Sequence, residues 1–224
     1  MVDKPAGVTS HDVVAQARRL FSTRSIGHTG TLDPFATGLL VLVIGRATRL
    51  ARFVEAGRKT YLAEARLGVA TRTDDLTGEP IGQEWTGGWP SRDAVEAELG
   101  ALEGRHDQRP PAYSAKRRDG ERSYARARRG EAVALEPVPV EIDELELLEW
   151  SPPLVGFRAV VGPGTYVRAI ARDLGERLGT GAHLTALRRT RVGSFRVEDA
   201  HRLDRLTGRE RLLTPRSCSA TSRR

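Results

Sequence analysis

Apolar and polar positions alternate along this chain with periods that change from segment to segment, and those periods predict most of its elements. Val13, Val14, Ala17, Leu20 and Phe21 recur at helical spacing, and Thr9 and Ser10 stand before them as N-cap residues, so a helix is expected to about Phe21. The run Leu39–Ile44 is short and continuously apolar, which predicts a central strand ended by Gly45. Tyr61 to Leu67 alternates as a half-buried strand does. Ser91 caps a predicted surface helix reaching Leu102, and Glu121 to Arg129 reads as a short helix ended by Gly130. Strands are expected over Val138–Trp150 and Leu154–Val161. After the turn Gly162-Pro163-Gly164, Thr165 is expected to cap a helix with Ile170, Leu174 and Leu178 pointing inward. No internal repeat is present. Strands and helices interleave irregularly, with several strands adjacent, so the pattern predicts an α+β fold around a mixed, largely antiparallel sheet rather than a βαβ series.

Composition narrows the function. The 224 residues carry 36 Lys and Arg against 29 Asp and Glu, a net charge of +7, and a field of that sign favours polyanionic partners such as nucleic acid. The excess is concentrated. Arg105, Arg109, Lys116, Arg117, Arg118, Arg122, Arg126, Arg128 and Arg129 face only Asp107, Asp119 and Glu121 within one segment. A lone cysteine, Cys218, excludes an internal disulfide and fits a reducing cytosol. Asp3, Lys4 and Pro5 stand where the apolar part of a signal peptide would begin, and no apolar run reaches the ~18 residues of a membrane span. A cytoplasmic protein is expected.

The segment Gly27-His28-Thr29-Gly30-Thr31-Leu32-Asp33-Pro34, running on to Ala36-Thr37-Gly38, is the strongest candidate for chemistry. Its glycines mark backbone bends that other residues resist, and Pro34 pushes Asp33 towards extended geometry. Taken alone, an Asp-Pro pair is more often a turn than a catalyst. A phosphate-binding P-loop is excluded in its usual form because no Gly-Lys-Ser/Thr closes the loop. His11, His28, His106, His183 and His201 show no metal-ligand spacing with each other or with Cys218, so no metal is expected.

GHTGTLDPFATGLL, with DKPAGVTSHDVV before it, resembles the opening motifs of the TruB family of tRNA pseudouridine-55 synthases. RKTYLAEARLGVATRTDD, RPPAYSAKRRDGERSYARARRG and GTYVRAIARDLGERLGTGAHLTALRRTRVGSF follow in the family's order. The resemblance covers about residues 2 to 203. It implies the pseudouridine synthase core with flanking helices, a catalytic domain over 1–205 that carries a thumb insertion at about 105–133, and a short tail over 206–224 where relatives continue into an RNA-binding domain. It also implies an enzyme that works as a monomer on the T-arm of tRNA without a cofactor, isomerising uridine 55 by base flipping.

Residue roles follow from the same resemblance. Asp33 is the nucleophile, since a carboxylate can add to a carbon electrophile and leave again. Attack at C1′ of ribose, addition at C6 of uracil and elimination through a glycal all use it. Arg168 is the cation that keeps it ionised in a dry pocket. Tyr61 stacks on the flipped base, Tyr166 and Leu187 line the same pocket, and His28 inserts into the T-loop where the uridine was. Arg117, Arg118, Arg126 and Arg129 of the thumb neutralise phosphates. Lys4 and Pro5 belong to the first motif in a structural role. Two alternatives are a guide-RNA-dependent synthase, whose relatives lack the thumb, and a non-catalytic RNA chaperone, against which the set Asp33, Tyr61 and Arg168 argues.

Overall fold

The computed structural model describes residues 1–113, 117–118, 121–122, 135–210 and 212–213, the side chains of 117–118 and 121–122 excepted. In chain order its elements begin with β1 (Val2–Lys4), α1 (Ser10–Leu20), β2 (Ile26–His28), β3 (Thr37–Leu40), β4 (Leu42–Ile44), α2 (Ala51–Glu55) and β5 (Lys59–Leu67). There follow β6 (Ala70–Thr71), β7 (Pro80–Ile81), α3 (Arg92–Gly100), β8 (Gly104–Gln108), β9 (Arg117–Arg118) and β10 (Glu121–Arg122). The remainder are β11 (Val138–Ser151), β12 (Leu154–Val161), α4 (Val167–Arg177), β13 (Ala182–Val192), β14 (Phe195–Arg196) and β15 (His201–Arg202). The chain divides into two compact units, Met1–Leu62 with Leu187–Arg224, and Ala63–Ala186.

In the first unit the strand order is β15-β1-β3-β13, with the start of β5 beyond β13. β1 runs antiparallel to β3 and parallel to β15, and the end of β13 runs parallel to β3. α1 begins where the sequence predicts. Thr9 is its N-cap and forms a capping box with Asp12, each side chain meeting the other's backbone N–H. Its apolar stripe enters two small cores, Val13 with Val2, Leu40 and Leu203, and Val14 and Ala17 with Ile26. The expected single strand over Leu39–Ile44 is instead two strands. β3 stays with β1 and β13, whereas β4 pairs antiparallel with β2. The break falls at Val41, whose carbonyl accepts the backbone N–H of Thr29 at 3.0 Å.

In the second unit the order is β5-β12-β11-β8, with β11 antiparallel to both neighbours. β5 alternates buried and accessible residues as its sequence predicts. α3 is capped by Ser91, whose hydroxyl accepts the Ala94 N–H at 3.2 Å, and it packs on β11 and α4. Ile170 and Leu174 of α4 are fully buried, as expected; Leu178 is only half-buried. Thr165 does not cap this helix. The N-cap is Tyr166, no side chain caps it, and the Thr165 hydroxyl is buried without a partner among the described residues. Glu121 and Arg122 lie in a strand paired with Arg117 and Arg118 rather than in a helix, and the rest of that expected helix lies outside the described residues. The mixed, largely antiparallel α+β architecture is the one expected.

Candidate active site

The loop that carries Asp33 is fixed by backbone turns and by side chains giving hydrogen bonds to, or taking them from, its backbone. β2 ends at His28, after which Gly30 turns the chain at φ +119°, a conformation that favours glycine. Leu32 is buried, and its N–H and carbonyl are both held by the hydroxyl of Ser10, the first residue of α1, at 2.8 and 3.1 Å. Asp33 itself is half-buried, and its carbonyl accepts the Ala36 N–H at 3.1 Å to close a turn. Gly38 ends the loop with a close approach: a Cβ there would stand 2.2 Å from the Arg189 carbonyl. That approach, together with φ +102°, explains why glycine occupies the position where β3 meets β13.

Two fully buried cations complete the support. Lys4 donates from its ammonium to the carbonyls of Pro5 and Val8 at 2.9 Å and of Pro34 at 3.3 Å. Arg189 donates to the carbonyls of Leu39, Gly30 and Thr31 at 2.8, 3.0 and 3.4 Å. Burial lowers the Lys4 pKa to about 8, with Arg189 acting in the same direction and the Asp33 carboxylate opposing both. Lys4, expected to be structural, thus lies beneath the turn that presents Asp33. Burial and then Arg189 also hold the His28 imidazole below its usual pKa, against the pull of Glu55, which leaves a neutral, flat ring at pH 7. Tyr61, on β5, and Leu187, on β13, are both buried in this unit.

Tyr166 and Arg168 belong to the second unit, at the start of α4. Gln108, itself buried, clamps the Tyr166 backbone from both sides: its amide oxygen accepts the Tyr166 N–H at 2.9 Å and its amide nitrogen donates to the Tyr166 carbonyl at 3.2 Å. The Arg168 guanidinium is buried and pairs with the Asp75 carboxylate at 3.2 Å. It also donates to the carbonyls of Thr73 and Tyr113, each at 2.9 Å. The other Asp75 oxygen is filled by the hydroxyls of Thr73 and Thr77 at 2.7 and 2.6 Å and by the Thr77 N–H at 2.9 Å. One turn further along α4, Arg172 pairs with Asp74 at 2.9 Å and donates to the Arg109 carbonyl at 2.8 Å. Burial raises the Asp74 pKa despite this pair, whereas Asp173 and Asp74 together raise that of Arg172 against its own burial. The pair is ionised, because a guanidinium does not give up its proton in a protein and here sits in hydrogen-bond contact with the carboxylate.

Sequence reasoning singled out neither Asp75 nor Gln108. The only local sign of Asp75 was a carboxylate flanked by threonines in TRTDDLT, residues suited to bonding their neighbours. Of the four arginines expected in a thumb, Arg117 and Arg118 fall in a two-stranded ribbon, and Arg126 and Arg129 lie outside the described residues.

Comparison with known proteins places these features in one family. The family model described as TruB family pseudouridylate synthase (N terminal domain) matches residues 18–167, and that of the tRNA pseudouridylate synthase B C-terminal domain matches 168–214. The chain is 49% identical over 214 residues to tRNA pseudouridine synthase B of Corynebacterium aurimucosum, covering 92% of this chain and 70% of the relative. It is 49% identical over 216 residues to the protein of the same name from Mycolicibacterium paratuberculosis, covering 95% and 73%. Among solved structures, it resembles a chain of a Cbf5-Nop10-Gar1 complex at 31% identity and TM-score 0.72, and one of the archaeal box H/ACA sRNP Nop10-Cbf5 complex at 30% and 0.67. Each likeness covers 92% of this chain, which spans about half the length of those two chains, 52% and 51%. The fold and the ordered motifs define a pseudouridine synthase. The chain belongs to the TruB family of pseudouridylate synthases.

Proposed function

We propose that this protein isomerises uridine 55 in the T-loop of tRNA to pseudouridine, with Asp33 as nucleophile. One observation carries the reading: the loop GHTGTLDP, with its aspartate, stands in a chain 49% identical across 92% of its length to a relative named tRNA pseudouridine synthase B. The reaction breaks the bond from C1′ to N1, turns the uracil and joins C1′ to C5. N1 ends protonated and C5 loses its hydrogen, so nothing is oxidised and no cofactor is needed. The base must leave its stack to be reached. His28, neutral and flat, fills the space it vacates; Tyr61 stacks on the extruded ring, and Tyr166 and Leu187 line the pocket. Arg168 supplies the positive charge that keeps the nucleophile ionised, and Asp75 and the Thr73 carbonyl hold its guanidinium in one orientation. The thumb arginines Arg117, Arg118, Arg126 and Arg129 bind T-arm phosphates, and the protein acts as a monomer. The identity to tRNA-named relatives exceeds that to the Cbf5 chains, which favours a free tRNA over a guided substrate.

The test is mass mapping of pseudouridine in unmodified tRNA after incubation with the protein, beside Asp33→Asn. The parent is expected to modify the T-loop uridine, and the variant to bind tRNA with no turnover, since amide and carboxylate have nearly the same shape. Turnover by the pure variant would remove Asp33 as nucleophile, and a parent that leaves the T-loop unmodified would remove the function.

A further inference from the structure

We propose that Arg172 is a positioning residue. By pairing with Asp74 it holds that residue's backbone in the left-handed region, and so fixes the turn that presents Asp75 to Arg168. The inference rests on the function proposed above only in so far as the Arg168–Asp75 pair serves the uracil site.

Asp74 has φ +58°, one of two described residues other than glycine with a positive φ. Aspartate enters this region more readily than most residues, but the conformation remains uphill and persists only where its surroundings enforce it. The surroundings here can be named. The Asp74 N–H donates to the Thr71 carbonyl at 3.2 Å, and its own carbonyl accepts the Leu184 N–H at 3.0 Å. Its carboxylate, with only 13% of the side chain exposed, meets Arg172 at 2.9 Å. Arg172 is held as tightly: two of its nitrogens reach the Asp173 carboxylate at 2.9 and 2.7 Å, and one also reaches the Arg109 carbonyl at 2.8 Å.

The geometry of the next residue depends on this one. With Asp74 turned to the left-handed side, consecutive carboxylates take different partners on α4, Asp74 meeting Arg172 and Asp75 meeting Arg168 one turn away. The Thr71 hydroxyl fixes the Asp75 carbonyl at 2.8 Å, and Leu76 donates its N–H to the Leu184 carbonyl at 2.9 Å, so the chain leaves the turn along a set path. If Asp74 relaxed to ordinary φ, the chain direction at Asp75 would change and its carboxylate would move away from Arg168. Arg172 acts on Arg168 through two intermediaries and touches no reacting atom.

A pair of double variants separates this role from simple charge pairing. Arg172→Met leaves the Asp74 carboxylate without its cation and frees the turn. Adding Asp74→Gly or Asp74→Ala removes the stranded charge equally, but only glycine takes a positive φ without strain. Single-turnover pseudouridine formation on T-arm RNA is expected to fall about tenfold in Arg172→Met, with tRNA affinity within about twofold of the parent. The double variant with Asp74→Gly should return to within about threefold of the parent rate, and the one with Asp74→Ala should stay about tenfold down. Urea midpoints give a second reading independent of activity, the glycine double variant lying above the alanine one. Equal rates in the two double variants, or equal midpoints, would overturn the role assigned to Arg172. A parent that makes no pseudouridine would instead remove the functional reading, and the order of the midpoints would still decide this one.

Discussion

Replacing Lys4 with Met tests how the Asp33 loop is held, because methionine keeps the length and apolar bulk while removing the ammonium. Lys4 is fully buried and carries a pKa lowered from 10.5 to about 8, burial being the main cause. At about 1.36 kcal/mol per pK unit, that displacement corresponds to roughly 3 kcal/mol by which the folded state disfavours the charged amine. The sign follows from the proton count. Below pH 8 both folded and unfolded chains carry the proton and the penalty is complete. Between about 8 and 10.5 the unfolded chain keeps a proton that the folded chain has released, so stability rises with pH. Above 10.5 the contribution is level. Methionine has no such dependence, but it takes a donor from the carbonyls of Pro5, Val8 and Pro34, the last of which keeps the Gly7 N–H at 2.8 Å, a loss of about 1 kcal/mol or more for each of the first two.

Parent and variant should therefore differ least near pH 7, where the two effects oppose each other, and the parent should gain by about 3 kcal/mol as pH approaches 10.5. Urea unfolding at pH 7, 8, 9 and 10 reads this directly, because every other titrating group is common to both proteins. The quantity to plot is parent minus variant. A difference that stays flat across the series would mean that the three carbonyls fully offset burial and that Lys4 titrates as an ordinary lysine. The variant should also lose single-turnover rate at pH 7 while keeping its affinity for tRNA, since the Pro34 carbonyl beside Asp33 loses one of its two donors and the positive charge near Asp33 is gone.

Two further outcomes bear on the second unit and the thumb. Asp75→Asn removes the carboxylate that pairs with the buried Arg168 guanidinium at 3.2 Å, so calorimetry or urea titration should show a loss of about 3 kcal/mol, and single-turnover rate should fall by more than tRNA affinity; unchanged rate would detach Asp75 from the chemistry. Neutralising Arg117, Arg118, Arg126 and Arg129 together should weaken tRNA binding and flatten the slope of log K against log salt by roughly 0.7 to 0.9 for each phosphate that is no longer neutralised; an unchanged slope would defeat the thumb assignment.

The elements that the sequence predicted well are those whose signals are local. Thr9 and Asp12 lie three residues apart and bond each other, and β5 shows its two faces in simple alternation. The misreadings share a different cause. A continuous apolar run such as Leu39–Ile44 has no periodicity to mark a change of partner, so the step at Val41 from a β1 neighbour to a β2 neighbour was invisible. Thr165 resembled a cap by residue type, but the Tyr166 backbone is held instead by Gln108, 58 positions away in sequence. Asp75 and Arg168 are 93 positions apart. Asp33 and Arg168 could be singled out only through the family's motifs. Taken alone, the first was a turn residue and the second one basic residue among 36.

Lys4 and Arg189 on one side, and Arg168 and Arg172 on the other, put their charge to two uses, and the division bears on how the chemistry is maintained. Lys4 and Arg189 direct their donors to backbone carbonyls around the Asp33 loop, so they fix its shape while placing positive charge beneath it. Asp33 favours the charged form of Lys4, and the same interaction favours an ionised Asp33. Arg168 and Arg172 each combine carboxylate and carbonyl partners: Arg168 holds Asp75 with the Thr73 and Tyr113 carbonyls, and Arg172 holds Asp74 and Asp173 with the Arg109 carbonyl. A cation paired only with a carboxylate is fixed in charge but can swing about the contact, whereas one that also grips a carbonyl is fixed in direction. Arginine meets both needs at once because its planar fork offers several donors, and lysine suffices beneath the Asp33 turn, where the acceptors converge on one point. On that reasoning Lys4→Arg would fail for want of space and Arg168→Lys for want of direction, although each keeps its charge.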